Sequence, residues 1–389
     1  MRLRTWAVIF CLALPFCLSA CKKRAEKARV ETIEGVAYVH NPAAPLHPAK
    51  AVVFEEELAY QEKDEGGEIR LFKPGRMAVD ARGLIYIQDN SDMAIKVFDQ
   101  AGKFLRAIGR QGEGPGEFTY IGDIVPLPDG RLLVTDFQAR RTSIFSPEGQ
   151  FQVSYPWKKN YLRVHLVTEF TCTLEEGVYS EEARERWVKT VDFAGEEILA
   201  FGKFTFPEFK MIRVGESGMI STSVPWTPAS VFAGDNMRQW LYHCPGDRYL
   251  IEVYDQKGKL FRKIDRPYEP VPVTGEDINE FKSEMTERPD SPSAKLYAQM
   301  EFPKVKHITN RMIVDGDGNL WVRTSEVKKE RKKEIAAYDI FNPDGFYDAR
   351  VWLDVIPSVF AGGKMYLTDE DEATGLRQVK RFRIVWKES

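Results

Sequence analysis

Three charged residues share one position in a repeated sequence pattern, and their side chains could recognise a polar ligand. Each lies seven residues before the glycine of a turn, in the pairs Arg76 and Gly83, Asp123 and Gly130, and Arg311 and Gly318. An arginine carries a planar fork of N–H donors that matches a carboxylate or a phosphate. Two interpretations stay open: the three residues bind a small polar ligand, or they belong to a network of ion pairs that needs no ligand.

The pattern that relates these residues repeats every 47 positions near the start of the chain. Four residues recur in it, with Gly83, Asp89, Phe98 and Gly102 reappearing as Gly130, Asp136, Phe145 and Gly149. Each unit predicts four short strands joined by turns, which is typical of a β-propeller blade. Blades must stack in a ring because one blade cannot bury its own faces. The inner strands then surround a channel, and Arg76, Asp123 and Arg311 are expected at one mouth of it.

More diverged units follow, and they set the number of blades. Echoes of the pattern lie at 190–202, 252–264 and 311–353, and an incomplete unit lies at 362–386. The spacing gives six blades once 267–304 is set aside as an insertion. The last unit lacks an outer strand, and the apolar segment 52–60 precedes the first blade. We therefore predict an all-β, six-bladed β-propeller over residues 36–389, with 52–60 closing the ring so that no edge stays open.

The insertion at about 267–304 carries helix signals rather than strand signals. Thr274 and Asp277 form a pattern similar to a capping box. Ile278, Phe281 and Met285 then follow at helical spacing. Ser291 and Pro292 are suited to start a second short helix. We predict a small α-helical insertion on one face of the ring.

The first 20 residues have the pattern of a secretory signal peptide. Two arginines precede an apolar stretch over 6–18, which is too short to span a bilayer. The sequence Leu-Ser-Ala-Cys then ends at Cys21 and resembles a bacterial lipobox, in which the cysteine is acylated. The alternative is an ordinary signal peptide with an incidental Cys21. Residues 21–35 are charged and predict a flexible tether.

The lipobox resemblance also implies a location. A lipid on Cys21 would anchor the protein in the bacterial cell envelope. In the enteric-type sorting scheme that accompanies the lipobox, Lys22 after the cysteine indicates the outer membrane, with the propeller facing the periplasm or the exterior. The predicted partners are thus the membrane, through the lipid, and a protein or a small polar ligand.

Composition and spacing argue against several other classes of function. The chain carries a net charge of −3, and removal of the signal with its two arginines makes it more acidic, which disfavours nucleic acid. The five histidines do not cluster at the spacing of metal ligands. We therefore predict no cofactor and no catalytic residue, with a divalent metal as the alternative. Cys172 and Cys244 are expected as buried free thiols, although a disulfide between them stays open.

A family resemblance supports the fold. The segment GRQGEGPGEF (109–118), set between two blade-like units, resembles the six-bladed β-propeller lipoproteins related to NHL repeats. The resemblance covers about residues 50–386 and implies fold and location, but little about chemistry. Our first hypothesis is a binding or scaffold module, and the alternative is a metal-dependent enzyme of the lactonase or lyase type found on related propellers.

Overall fold

The computed structural model describes residues 27–60, 71, 73–179, 184–214, 218–285, 292–330, 333–370 and 377–387. Within these ranges the chain forms 28 strands and two helices. Three strands precede the first blade: Arg29–Ile33 (β1), Val36–His40 (β2) and Ala51–Tyr60 (β3).

The first three blades each consist of four consecutive antiparallel strands. Blade 1 contains Pro74–Val79 (β4), Ile85–Asp89 (β5), Ala94–Phe98 (β6) and Phe104–Ile108 (β7). Blade 2 contains Ile121–Pro126 (β8), Leu132–Asp136 (β9), Arg141–Phe145 (β10) and Phe151–Pro156 (β11). Blade 3 contains Tyr161–Val167 (β12), Thr171–Tyr179 (β13), Arg184–Asp192 (β14) and Glu197–Phe204 (β15).

The second half of the ring includes two excursions between blades. A separate hairpin, Phe209–Val214 (β16) and Gly218–Ser223 (β17), precedes blade 4. Blade 4 contains Val231–Asp235 (β18), Trp240–Cys244 (β19), Leu250–Tyr254 (β20) and Leu260–Asp265 (β21). Two helices follow, Gly275–Met285 (α1) and Pro292–Ala298 (α2). Blade 5 contains Thr309–Val314 (β22), Leu320–Glu330 (β23), Lys333–Phe341 (β24) and Tyr347–Leu353 (β25). Blade 6 contains Val359–Ala361 (β26), Lys364–Glu370 (β27) and Arg377–Lys387 (β28).

The six inner strands form a closed ring. Each of β4, β8, β12, β18, β22 and β26 contacts the next, and β26 contacts β4. Apolar clusters fill the spaces between neighbouring blades, with Trp321, Phe98 and Phe145 fully buried. The predicted fold class, a six-bladed β-propeller with a small helical insertion, is confirmed.

The N-terminal strand β3 closes this ring. It pairs antiparallel with β28 along its length, with Val53 opposite Val385 and Tyr60 opposite Val379. Blade 6 thereby gains its missing outer strand, so the prediction for residues 52–60 is confirmed. The pairing covers the edge of β28, and β3 becomes the outer strand of a four-stranded blade like those of the other blades.

The residues before β3 form a strap across the outer edges of blades 4 and 5. Strand β2 adds parallel to β21, and β1 pairs antiparallel with β2. The chain then crosses blade 5, where Leu46 N donates to Tyr347 O at 2.8 Å. The predicted tether is therefore wrong over 29–35. All five residues of β1 are exposed. The strand attaches through its backbone and through a hydrogen bond between the side chains of Glu31 and His40, so it needs no apolar periodicity that a sequence could reveal.

The helical insertion has the predicted start. Thr274 Oγ1 accepts from Asp277 N at 3.1 Å, and Asp277 Oδ2 accepts in return from Thr274 N at 2.8 Å. This reciprocal pair caps the first turn of α1. Both excursions join an outer strand to the next inner strand, so they lie on the face where the inner strands begin. No helix in the described part of the chain is both long and apolar enough to cross a membrane.

Candidate ligand site at the channel mouth

A ring of charged residues occupies one level of the inner strands. Arg76, Asp123, Arg163 and Arg311 are each the third residue of their strand, in β4, β8, β12 and β22. Each of these strands pairs with the next strand of its own blade, and the register of that pairing shifts next to the charged residue. The corresponding pairings of β18 and β26 show no register shift. A β-bulge re-aims a side chain. The four blades with a charged residue at this level are therefore the four with a distorted strand start.

Arg76 and Asp123 neutralise each other across the first two blades. Arg76 Nη1 donates to Asp123 Oδ1, and the other carboxylate oxygen accepts from Val164 N at 2.8 Å. Asp123 N also donates to Thr135 Oγ1 at 2.7 Å. The aspartate thus ties three blades together, which is the behaviour expected of the ion-pair interpretation.

Arg311 has a different environment. Its Nη2 donates to the carbonyl oxygen of Pro357 at 2.5 Å, and its Nε is buried without a hydrogen-bond partner among the described residues. Burial lowers the pKa of Arg311, and the positive charges of Arg163 and Arg323 lower it further. The guanidinium therefore lies in a positive environment and has no carboxylate partner in the part of the chain that the structure describes.

Arg163 completes the set, and sequence reasoning missed it. Its side chain is exposed and makes no hydrogen bond or ion pair with a described residue. The seven-residue rule fails in blade 3 because Phe170, not glycine, stands seven positions after Arg163. A count of three residues from the start of the inner strand would have found Arg163. The sequence of blade 3 has diverged too far from the repeat to show where that strand starts.

These residues line the central channel. The channel contains a cavity of 890 Å³, and among the described residues its lining has Arg76, Arg163 and Arg311 against a single carboxylate, Asp123. The lining therefore has an excess of two positive charges, in a protein that is acidic as a whole. Low-dielectric walls focus such a field and attract anions.

A second cavity of 430 Å³ adjoins the channel between blades 3 and 4 and shares Arg163 and His165 with it. Here His165 Nε2 lies 2.7 Å from Glu175 Oε1, and Arg186 Nη1 lies 3.3 Å from the other oxygen. Burial raises the pKa of Glu175, but the hydrogen bond and the charges of His165 and Arg186 outweigh it, so the net pKa is lowered. Burial and the charge of Arg323 also lower the pKa of His307, which lines this cavity, to about 4.

The loop around Trp226 forms one wall of the second cavity. Trp226 has a φ of 60°, which is strained for a bulky side chain. Its carbonyl oxygen accepts from His307 N at 3.0 Å, and its ring lies 5.9 Å from Phe281 of α1 and 5.7 Å from Phe302. The helical insertion therefore supports the wall of the cavity.

The remaining predictions concern cysteines and metals. Cys172 and Cys244 are free and buried, as predicted. Among the described residues, no group of three or more His, Cys, Asp or Glu side chains could hold a metal ion. Cys21, the predicted lipidation site, and the signal peptide over 1–20 lie outside the described residues.

Comparison with known proteins agrees with the architecture. The family described as "DUF5128: 6-bladed beta-propeller" matches residues 71–152. A candidate exported protein from Bacteroides fragilis has a similar structure, with 11% identity, coverage of 90% of this chain and 99% of that one, and a TM-score of 0.49. A DUF4221 family member from Bacteroides vulgatus has 9% identity, coverage of 94% and 100%, and a TM-score of 0.49.

A propeller enzyme is also similar at a greater distance. Virginiamycin B lyase from Staphylococcus aureus has 11% identity, coverage of 86% of this chain and 100% of that one, and a TM-score of 0.41. Such low similarity transfers neither an activity nor a site residue. The chain is a six-bladed β-propeller, and its function has to be argued from its own residues.

Proposed function

We propose that this propeller is an envelope binding module that takes a small anionic ligand at the channel mouth. The observation that carries the proposal is Arg163, an exposed guanidinium in the channel without a partner among the described residues. An arginine with free donors is suited to a planar, bidentate acceptor such as a carboxylate or a phosphate.

The surroundings of Arg163 support a ligand with more than one negative charge. Arg311 is close enough for the charge of Arg163 to lower its pKa, and both line the same cavity. Two like charges held near each other repel, and an anion between them relieves that repulsion. Arg76 contributes less, because Asp123 already neutralises it.

The cavity fits a small molecule rather than a polymer. Its 890 Å³ lies within the range of about 300–1,000 Å³ that is usual for sites of small ligands. Asn90, Asn310 and Asn236 add amide groups to the lining. Such amides can donate to or accept from hydroxyl groups, so a hydroxylated acid or a sugar phosphate suits the site.

Isothermal titration calorimetry tests this proposal with named probes. Citrate and glucose 6-phosphate are titrated into protein that starts at residue 22, with uncharged glucose as the matched control. We expect saturable one-to-one binding of an anion that weakens as the salt concentration rises, because salt screens the attraction. Absence of heat with both anions, or equal binding of glucose, would refute anion recognition.

The location is a second part of the proposal. We infer export from the signal-like residues 1–20 and lipid anchoring from Cys21. Replacing Cys21 by serine should move the protein from the membrane to the soluble fraction, whereas Cys172→Ser should not. Continued membrane association of the Cys21→Ser protein would contradict lipid anchoring.

The metal-dependent alternative has its own discriminating measurement. Elemental analysis of the purified protein should find less than one tightly bound divalent ion per chain if the binding-module proposal is right. One ion per chain that survives dialysis would favour the enzyme alternative instead.

A further inference from the structure

The second cavity reaches Ser230, the first of three side chains at blade 4 that are linked in series. Ser230, which lines the cavity, has its Oγ 3.0 Å from His243 Nε2. His243 Nδ1 in turn lies 3.1 Å from Glu252 Oε2. A hydroxyl, an imidazole and a carboxylate in this order have the connectivity of a serine hydrolase triad.

Three neighbouring strands hold this series in place. Ser230 immediately precedes β18, and His243 on β19 is the direct cross-strand partner of Glu252 on β20. The ring centroids of Phe204 and Phe232 lie 4.6 Å and 4.9 Å from that of the imidazole and 5.0 Å from each other, so the three rings pack together. The imidazole is thus fixed by packing as well as by hydrogen bonds, as a general base should be.

The hydrogen bonds indicate which nitrogen of the His243 imidazole carries the proton. The hydrogen bond from His243 lowers the pKa of Glu252 to about 2 despite burial, and Tyr254 Oη also donates to this carboxylate at 2.9 Å. An ionised carboxylate only accepts, so Nδ1 carries the imidazole proton. Nε2 is then an acceptor for the hydroxyl proton of Ser230, whose oxygen accepts from Thr205 N at 3.2 Å.

We propose that Ser230 is the nucleophile of a hydrolase for small carboxylic esters. Oγ bonds to the ester carbonyl carbon while its proton moves to His243 Nε2. The bond to the alcohol then breaks, and the alcohol leaves with that proton. Water attacks the acyl-serine, gives one proton to His243, and releases the carboxylic acid as Oγ regains its proton. Glu252 acts as a positioning residue that holds the imidazole tautomer.

The cavity also contains positive charge for the oxyanion that forms in this reaction. The guanidinium groups of Arg163 and Arg186 both line it. Arg186 is fixed because its Nη1 donates to the carbonyl oxygen of Ser230 at 2.7 Å and because it pairs with Glu175. Glu175 offsets the charge of Arg186, so Arg163 supplies the unpaired positive charge that would stabilise a developing negative charge in this cavity. This inference does not depend on anion binding in the channel.

A fluorophosphonate probe tests the nucleophile directly. We expect the probe to label the wild-type protein once, at Ser230, with mass spectrometry locating the adduct. Ser230→Ala should abolish labelling, whereas Ser143→Ala, which alters another buried serine, should not. Hydrolysis of p-nitrophenyl acetate should fall in parallel, by about a hundredfold or more for the loss of the nucleophile.

Glu252→Gln separates catalysis from folding. The amide keeps the size of the side chain but no longer fixes the tautomer, so the labelling rate should fall about tenfold or more while Ser230 is still present. Thermal unfolding of each variant reports whether it is folded. Failure of the folded wild-type protein to react at Ser230 would overturn the proposal, because a purely structural hydrogen-bond series would give that result.

Discussion

Asp123 accepts from Arg76 with one carboxylate oxygen and from the backbone of Val164 with the other, so one side chain joins three blades at the channel mouth. This aspartate also cancels one of the three positive charges in the channel. The residue therefore affects both the stability of the ring and the affinity of the channel for anions.

Asp123→Asn should change these two properties in opposite directions. Loss of the charge frees Arg76, so citrate should bind about tenfold more tightly at low ionic strength. The weakened links between blades should reduce the free energy of unfolding by about 1–3 kcal/mol. Calorimetry and urea unfolding measure the two effects. A decrease in citrate affinity would show that Asp123 contacts the ligand itself.

Asp339 should dominate the acid sensitivity of the ring. It is fully buried between blades 4 and 5, with Arg266 Nη2 and Arg350 Nε both at 2.7 Å. Burial raises its pKa, but the two arginines outweigh burial, so its folded pKa is lowered. A lowered pKa stabilises the fold above the unfolded value of about 3.9 and loses that contribution as the pH falls through the folded value.

Asp339→Asn should therefore destabilise the protein by about 3–5 kcal/mol at pH 7, because it leaves the buried Arg266 without its carboxylate, whereas Arg350 keeps its pair with Glu326. The difference from wild type should shrink as the pH falls below about 4. Asp369→Asn, at an exposed pair with Lys380, is the control and should change stability by less than about 1 kcal/mol. Urea unfolding across pH measures both, and a pH-independent difference would contradict the electrostatic explanation.

Ring closure by β3 predicts a sharp dependence on where the chain is truncated. Of the part of the chain that the structure describes, removal of residues 1–35 takes away the exposed strand β1 with its flanking residues, so Tm should change by only a few degrees. Removal of residues 1–61 takes away β3 and opens the edge of β28, so the protein should aggregate or unfold. Gel filtration and thermal unfolding distinguish the two, and a stable monomer without β3 would contradict closure by this strand.

Much of the fold follows from the sequence because blades repeat. The period of 47 residues identifies the strands of blades 1 and 2, and Thr274 with Asp277 identifies the start of α1. Strand β1 escaped prediction because only its backbone and an exposed hydrogen bond between Glu31 and His40 attach it. Local patterns report buried side chains, and this strand has none.

The candidate sites were harder to predict than the fold. Arg76, Asp123 and Arg311 share a spacing to a glycine, but Arg163 does not, although it occupies the same strand position. The series from Ser230 through His243 to Glu252 has no sequence motif, because cross-strand pairing rather than sequence spacing brings it together. Register between diverged strands is decided by tertiary packing, which one sequence does not reveal.

The two buried cysteines predict a simple thiol assay. Burial raises the pKa of both Cys172 and Cys244 to about 12, so both thiols stay protonated at pH 8 and are poor nucleophiles. In protein that starts at residue 22, the native state should react slowly with Ellman's reagent, and two thiols should appear on unfolding. Detection of none after unfolding would reveal a disulfide.

Anion binding by Arg163 and Arg311 is the central claim, and calorimetry on a double variant tests it most directly. Citrate is titrated into wild type, Arg163→Gln/Arg311→Gln, and a control that replaces two exposed surface arginines, Arg110→Gln/Arg383→Gln. We predict that the channel variant loses at least about a hundredfold in affinity, from two charge-assisted contacts, while the control keeps wild-type affinity at equal salt. Equal affinity of the channel variant and wild type would contradict the account.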